Sequence, residues 1–255
     1  MSIFEPRPSI TMCIPAHNEA ATIGRVVEYV RRFRDDHPRL VDEILVVDDR
    51  SDDGTANVAV AAGARVVTTA EYCPGGSRGK GDAVWASLQA CETDLIGWMD
   101  GDLVEFPERL VPELFAPLMD DDSVQLVKGA FTRINADGTT VVGGRVTSLT
   151  AKPLIEILNP ELAQLADPLS GVFAGRAKVI REFDIERDYG VDVGIVLDVS
   201  RRFGPWAIRE VHLGRIVHRQ QDIDRLSVMA TMVARTIIDR NGGTDRAHDR
   251  RLLLR

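Results

Sequence analysis

Glu43-Ile44-Leu45-Val46-Val47-Asp48-Asp49-Arg50-Ser51-Asp52-Asp53-Gly54-Thr55 runs an unbroken apolar segment straight into a dense cluster of acids. The apolar part does not alternate with polar residues, so it has no wet face and predicts a parallel strand covered on both sides. The residues that follow, Thr55 to Ala62, predict a helix, and Asp52 or Asp53 can cap its first turn. Asp49, where the strand ends, can accept hydrogen bonds from a base or ribose. A covered strand that hands carboxylates to the start of a helix is the local form of an open α/β sheet, whose ligand crevice lies at the carboxyl ends of its strands.

The same alternation extends to either side. Ile10 to Ile14 predict a strand that Pro15, lacking an N–H, should close. Ile23, Val26, Val27, Val30 and Phe33 recur at helical spacing and predict one buried helical face. A strand at Ala64 to Thr68, a helix at Lys80 to Ala90 and a strand at Leu95 to Met99 complete the order βαβαβαβ. Right-handed crossovers then imply a doubly wound, mostly parallel sheet with helices on both faces. The polar clusters Pro15 to Glu19, Asp48 to Asp53, Gly79 to Gly81 and Asp100 to Asp102 each follow a strand, so the fold should gather them on one rim.

The later part is less regular. It predicts a helix at Pro107 to Met119, a strand at Val124 to Ala130, and a glycine turn leading into a helix over Gly143 to Leu158. Leu226, Met229, Ala230, Val233 and Ile237 form the stripe of a final helix that Gly242 and Gly243 should stop. Packing inside the molecule is the first reading of that stripe, and a homodimer contact the second. The last dozen residues, rich in Arg and Asp, are expected to form a mobile tail.

Composition narrows the class. A chain of 255 residues, 44% hydrophobic and 27% charged, is expected to fold as one globular unit. A net charge of -8 argues against nucleic-acid binding, which needs a basic surface. Cys13, Cys73 and Cys91 are odd in number and form no CxxC pair, so they predict buried thiols in a reducing cytoplasm. Met1 to Pro8 lack the apolar run of a signal peptide, and no stretch reaches the roughly 18 apolar residues of a membrane span. A cytoplasmic protein without membrane partners is expected.

Three segments carry chemistry. Asp100-Gly101-Asp102 sets two carboxylates beside a glycine, a donor set for Mg²⁺ or Mn²⁺. The same tripeptide also makes surface turns, but its place after the buried residues Leu95 to Met99 favours the metal. Gly75-Gly76-Ser77-Arg78-Gly79-Lys80-Gly81 is not a P-loop, since Pro74 and Gly81 stand where glycine and Ser or Thr are needed. It is either a flexible loop presenting Lys80 to a nucleotide or a plain turn into a helix. Gly143-Gly144-Arg145-Val146-Thr147 joins exposed N–H groups to a guanidinium, a combination suited to phosphate or carboxylate, or else is only a turn. Spacing singles out none of the five histidines as a ligand.

From about Ile10 to Arg240 these motifs resemble a known family. Pro15 to Glu19, Val47 to Thr55 and Asp100 to Asp102 look like the nucleotide-sugar side of GT-A glycosyltransferases. Gly79 to Gly81, Leu126 to Lys128, Gly143 to Thr147, Asp167 to Gly171 and Tyr189 to Gly194 follow the order of glucosyl-3-phosphoglycerate synthases. The resemblance implies a Mg²⁺- or Mn²⁺-assisted, retaining transfer of glucose from UDP-glucose to 3-phosphoglycerate, with the leaving diphosphate as the base. It further implies that Ala16, Glu19, Asp49, Lys80, Asp100, Gly101 and Tyr189 bind the donor and that Asp102 and His218 hold the metal. Gly144, Arg145 and Thr147 would grip the acceptor, with Leu169, Ser170 and Asp192 at the reacting centre. On this basis residues 1–130 form the nucleotide-sugar half, 131–221 the acceptor half of the same domain, and 222–255 a helix and tail.

The chain departs from that pattern at Asp49, where Ser is more frequent, and at Asp192 and Val172, where Glu is usual. Ile216 replaces an Arg, and Gln220 and Gln221 follow His218-Arg219. These changes leave open a different acceptor or a non-catalytic sugar-nucleotide sensor. A nucleotidyltransferase ranks below both, because its basic, glycine-rich loop would stand where Pro15 to Glu19 are.

Overall fold

A computed structural model describes residues 7–37, 40–104, 106–134, 140–217, 222–242 and 253–254. The chain runs β1 (Ile10–Ala16), α1 (Ile23–Asp36), β2 (Glu43–Asp48), α2 (Thr55–Ala62), β3 (Arg65–Thr68), α3 (Thr69–Tyr72), α4 (Lys80–Ala90) and β4 (Leu95–Trp98). It continues with α5 (Leu110–Asp120), β5 (Leu126–Ile134), β6 (Thr140–Val142), a π-helical turn at Thr147–Ala151, α6 (Lys152–Leu158), β7 (Phe173–Arg176) and α7 (Ala177–Ile180). Last come β8 (Ile185–Glu186), α8 (Val191–Phe203), β9 (Ile208–Val217), α9 (Ile223–Arg240) and β10 (Leu253–Leu254).

The main sheet has the order β3-β2-β1-β4-β7-β5, with β9 on the far side of β5 and β6 extending the near side beyond β7. Strands β1 to β4 are parallel, and β5 pairs in parallel with β9. β7 runs against both β4 and β5, and β6 against β5, so the sheet is mixed but mostly parallel. The α/β class read from the sequence therefore holds. Residues of β2 alternate between two apolar layers: Leu45 and Val47 enter one with Trp98, Phe173 and Val196, whereas Ile44 and Val46 enter the other with Ile14, Phe115 and Phe131. Helices cover both faces, which is why the strand shows no polar alternation.

Some boundaries move. Pro15 does not close β1, which pairs with β2 through Ala16. Strand residues present their backbone groups to alternate sides, and the Cys13 carbonyl accepts from Met99 on the β4 side while that of Ala16 accepts from Asp49. The missing Pro15 N–H therefore faces β4 just past its last paired residue, Trp98, and ends that pairing without ending the one with β2. The predicted stripe of α9 is used inside the fold: Val233 and Ile237 are fully buried, and Leu226, Met229 and Ala230 pack on the first apolar layer. Of the expected tail, Leu253 and Leu254 pair antiparallel with β8, because two extended residues can complete the open edge of Ile185–Glu186. Among the described residues no helix is long and apolar enough to cross a membrane.

Candidate active site

Two loops at the ends of β1 and β2 are laced together. The Asn18 N–H donates to Ser51 Oγ at 2.9 Å, Asp52 N–H to Asn18 Oδ1 at 3.0 Å, and Glu19 N–H to Thr55 Oγ1 at 2.8 Å. Asn18 and Arg50 hold φ of 57° and 59°, a left-handed turn that Asn adopts more easily than Arg. Asp53 is the acid that serves α2, accepting the Thr55 N–H at 3.0 Å and the Ala20 N–H at 3.0 Å. Asp49 is buried, and its Oδ1 accepts from Thr69 Oγ1 at 2.8 Å and Arg50 Nε at 3.2 Å. The loops thus form a preset wall beside Ala16 and Glu19.

The centre of the rim is an ion-paired bridge. Lys80, the first residue of α4, donates to Asp100 Oδ1 at 3.2 Å and to Asp192 Oδ2 at 3.1 Å. Burial opposes its charge, but the carboxylates of Asp100 and Asp192 outweigh that effect and raise its pKa. Burial pushes Asp192 up, against the pull of Lys80 and Lys128, and its Oδ1 is buried without a hydrogen-bond partner. An unpaired buried acceptor costs about 1–3 kcal/mol, which a ligand hydroxyl would recover.

The loop before α4 is tied down, not flexible. Arg187 grips both oxygens of fully buried Asp82 at 2.7 and 3.0 Å and also donates to the Gly76 carbonyl at 2.6 Å. Gly81 lies against β8 so tightly that a β-carbon would come within 1.7 Å of the Glu186 carbonyl oxygen. Lys80 therefore projects from a helix start fixed on both sides.

Asp102 stands on the open side of the same rim. Desolvation within the concavity, with the charges of Asp100 and Glu19 beside it, pushes its carboxyl up to about 6. Crowded hard oxygen donors fit a divalent cation, which would relieve their repulsion. Gly101 permits the close approach, since a β-carbon there would meet the Pro15 carbonyl oxygen at 3.1 Å. His218, its expected co-ligand, lies outside the described residues, as do Gln220 and Gln221. Among the described residues no group of three His, Cys, Asp or Glu side chains is arranged to hold a metal.

Across the rim, Gly143 adopts φ of 79° and brings the Gly143–Thr147 turn onto Asp167. Thr147 is buried and donates to Asp167 Oδ1 at 2.9 Å, and Arg133 lies 3.6 Å from Asp167 Oδ2. Glu210 on β9 accepts the N–H groups of Ala166 and Asp167, both at 2.8 Å. Gly144 has open space above its α-carbon, and Arg145 is exposed. Thr147 and Arg133 thus meet at Asp167, and the exposed Arg145 stands two residues before Thr147 on the same turn.

The remaining candidates divide. Leu169 is half-buried on the apolar layer, and Tyr189 is exposed beside the start of α8. Ser170 is placed at the centre but faces inward: its N–H donates to the Asp167 carbonyl, its carbonyl accepts from Lys128, and its hydroxyl contacts the Val172 backbone. With all three polar groups engaged and 2% exposure, it supports the site from within and offers nothing to a ligand. Val172 and Ile216 lie in the apolar core. Lys128 and the Arg187–Asp82 pair were missed as site candidates. Lys128 had a signal, a lone cation in an apolar strand; Arg187 and Asp82 had none, being 105 residues apart.

A mostly parallel sheet whose strand ends carry an acidic pair, a lysine bridge and a facing basic turn defines a nucleotide-sugar transferase of the GT-A type. The sequence pattern described as Glycosyl transferase family 2 matches residues 11–186, and the chain belongs to that family and, within it, to the glucosyl-3-phosphoglycerate synthases. The synthase of Mycolicibacterium smegmatis is 37% identical over 242 residues, 93% of this chain and 79% of that one. The Mycobacterium tuberculosis synthase, solved with Mn²⁺, UDP-glucose and phosphoglyceric acid, superposes with a TM-score of 0.85 at 36% identity, covering 94% and 82% of the two chains. A mannosyl-3-phosphoglycerate synthase from Rubrobacter xylanophilus gives 0.86 at 33% identity, covering 95% and 78%.

Proposed function

We propose that this chain transfers glucose from UDP-glucose to 3-phosphoglycerate with retention at the anomeric carbon. The observation that carries this reading is the Asp100–Lys80–Asp192 bridge, set between the laced nucleotide loops and the Gly143–Thr147 turn. Ala16, Glu19, Asp49, Lys80, Gly101 and Tyr189 form the donor side, with Asp100 at its inner edge. The unpartnered Asp192 Oδ1 accepts from a sugar hydroxyl. Gly144 and Arg145 hold the acceptor anion on a turn that buried Thr147 anchors to Asp167, while Leu169 excludes water from the reacting carbon.

Asp102, with Asp100 beside it and His218 as the expected third ligand, would hold Mg²⁺ or Mn²⁺. When bound, that ion supplies positive charge against the departing diphosphate. The sugar-to-diphosphate bond breaks, the acceptor oxygen bonds the same carbon from the same face, and its proton passes to the diphosphate. No protein nucleophile is needed. Three buried free thiols support a cytoplasmic setting.

Product NMR after incubation with UDP-glucose, 3-phosphoglycerate and Mg²⁺ tests the reading. An α-linked glucosyl product is expected, and a β-linked one would overturn retention. The likeness to the mannosyl enzyme favours a mannosyl donor as the second reading. Comparing UDP-glucose with GDP-mannose separates the two.

A further inference from the structure

Lys128 sits in the middle of β5, opposite Phe173 of β7, and is 1% exposed. The apolar packing of the strand calls for no cation there, because Leu126 and Ala130, on the same strand face, are buried apolar residues and a methionine would fill similar space. Its ammonium donates to the Ser170 carbonyl at 2.7 Å and lies 4.5 Å from the centre of the Phe173 ring. The next residue, Gly129, donates its N–H to the Val172 carbonyl at 2.8 Å. β5 therefore grips the chain on either side of Gly171, once by a side chain and once by the backbone. Gly171 in turn supports Asp100, since a β-carbon on it would come within 2.1 Å of Asp100 Oδ1.

We propose that Lys128 is a positioning residue for sugar transfer: its ammonium holds the Ser170–Gly171 corner on which Asp100 rests. This rests on the transfer reading above. The charged groups whose fields reach the ammonium are those of Asp192 on α8, Lys80 on α4, Asp167 in the loop before β7, and Asp100 at the end of β4. The three carboxylates favour the charge, while burial and Lys80 oppose it, and burial dominates, leaving Lys128 lowered to about 8. Loss of that proton would weaken the hold on the Ser170 carbonyl and leave Lys80 as the lysine that offsets Asp100 and Asp192. Maximum velocity would then fall while the laced loops still bind UDP.

The test uses the full chain with Lys128→Met, which keeps the stem, and Lys128→Gln, which keeps a donor for the Ser170 carbonyl. Lys128→Met is expected to lower kcat by about tenfold or more, with UDP affinity by calorimetry changed less than about threefold. Lys128→Gln should recover part of kcat. Wild-type kcat should fall from about pH 7 to about pH 9, and neither variant should show that fall. Unchanged kcat in Lys128→Met, or the same alkaline fall in both variants, overturns the proposal. If neither variant folds, a wild-type kcat that stays flat over that range overturns it, and a fall supports it. Absence of transfer by the wild type would instead refute the transfer reading itself.

Discussion

The Asp100 carboxylate rests directly on Gly171, leaving no room for a β-carbon, which would approach Oδ1 to 2.1 Å. The obstructing atom is the end of a movable side chain, so Gly171→Ala should fold yet push Asp100 away from Lys80. A thermal midpoint close to wild type with turnover reduced about tenfold or more is expected. Full turnover would mean that the Asp100–Lys80 contact does not govern activity.

Burial and the neighbouring charges of Asp100 and Glu19 raise Asp102 to about 6, and without a cation these crowded carboxylates repel a diphosphate. Calorimetry should show UDP affinity falling about tenfold or more when chelator removes divalent cation. Asp102→Ala should bind UDP equally with and without the metal. If chelator leaves wild-type affinity unchanged, the carboxylates hold no metal that serves the donor.

Asp192 keeps one oxygen on Lys80 and leaves the other buried and free. Replacing it by Asn removes a charged acceptor of the sugar worth about 1.5–3 kcal/mol, so kcat/KM for UDP-glucose should drop about ten- to a hundredfold. UDP, which has no sugar, should bind as before. Equal losses for UDP and UDP-glucose would place Asp192 in support of the nucleotide.

Arg145 is exposed on a turn whose Thr147 is already anchored to Asp167. Arg145→Ala should raise the KM for 3-phosphoglycerate about tenfold or more and leave donor binding intact. Glycerate should be used less well than 3-phosphoglycerate by the wild type, and the gap should narrow in the variant. A preference for neutral acceptors together with a silent Arg145→Ala would remove the anionic pocket.

Lys128 also predicts a pH-dependent stability of definite sign. Its pKa drops from 10.5 in the unfolded chain to about 8 when folded, so between those values the unfolded chain binds more protons and stability rises with pH. Below about 8 the cost of the buried charge is present in full. Denaturant midpoints should therefore show Lys128→Met gaining on wild type near neutrality, with the gain shrinking toward pH 10. A gap independent of pH would mean that Lys128 keeps its proton throughout.

Periodicity and punctuation alone determined the α/β layering, since covered strands and amphipathic helices leave local patterns at Glu43–Val47 and Ile23–Phe33. They also put Asp49, Lys80, Asp100 and Asp102 at strand or helix ends, and parallel pairing then carries such ends to one rim. The residues themselves offered Gly143–Thr147 as an anion turn or a plain turn, and the resemblance favoured the first and added Asp192. Tertiary structure decided that β7 enters antiparallel between β4 and β5, delivering Gly171 to the rim from its amino end. It also turned Ser170 inward, buried Lys128 beneath it, and joined Lys80 to Asp192 across 112 residues. Local spacing cannot encode those choices, because strand insertion and buried ion pairs are settled by which distant surfaces exclude water together.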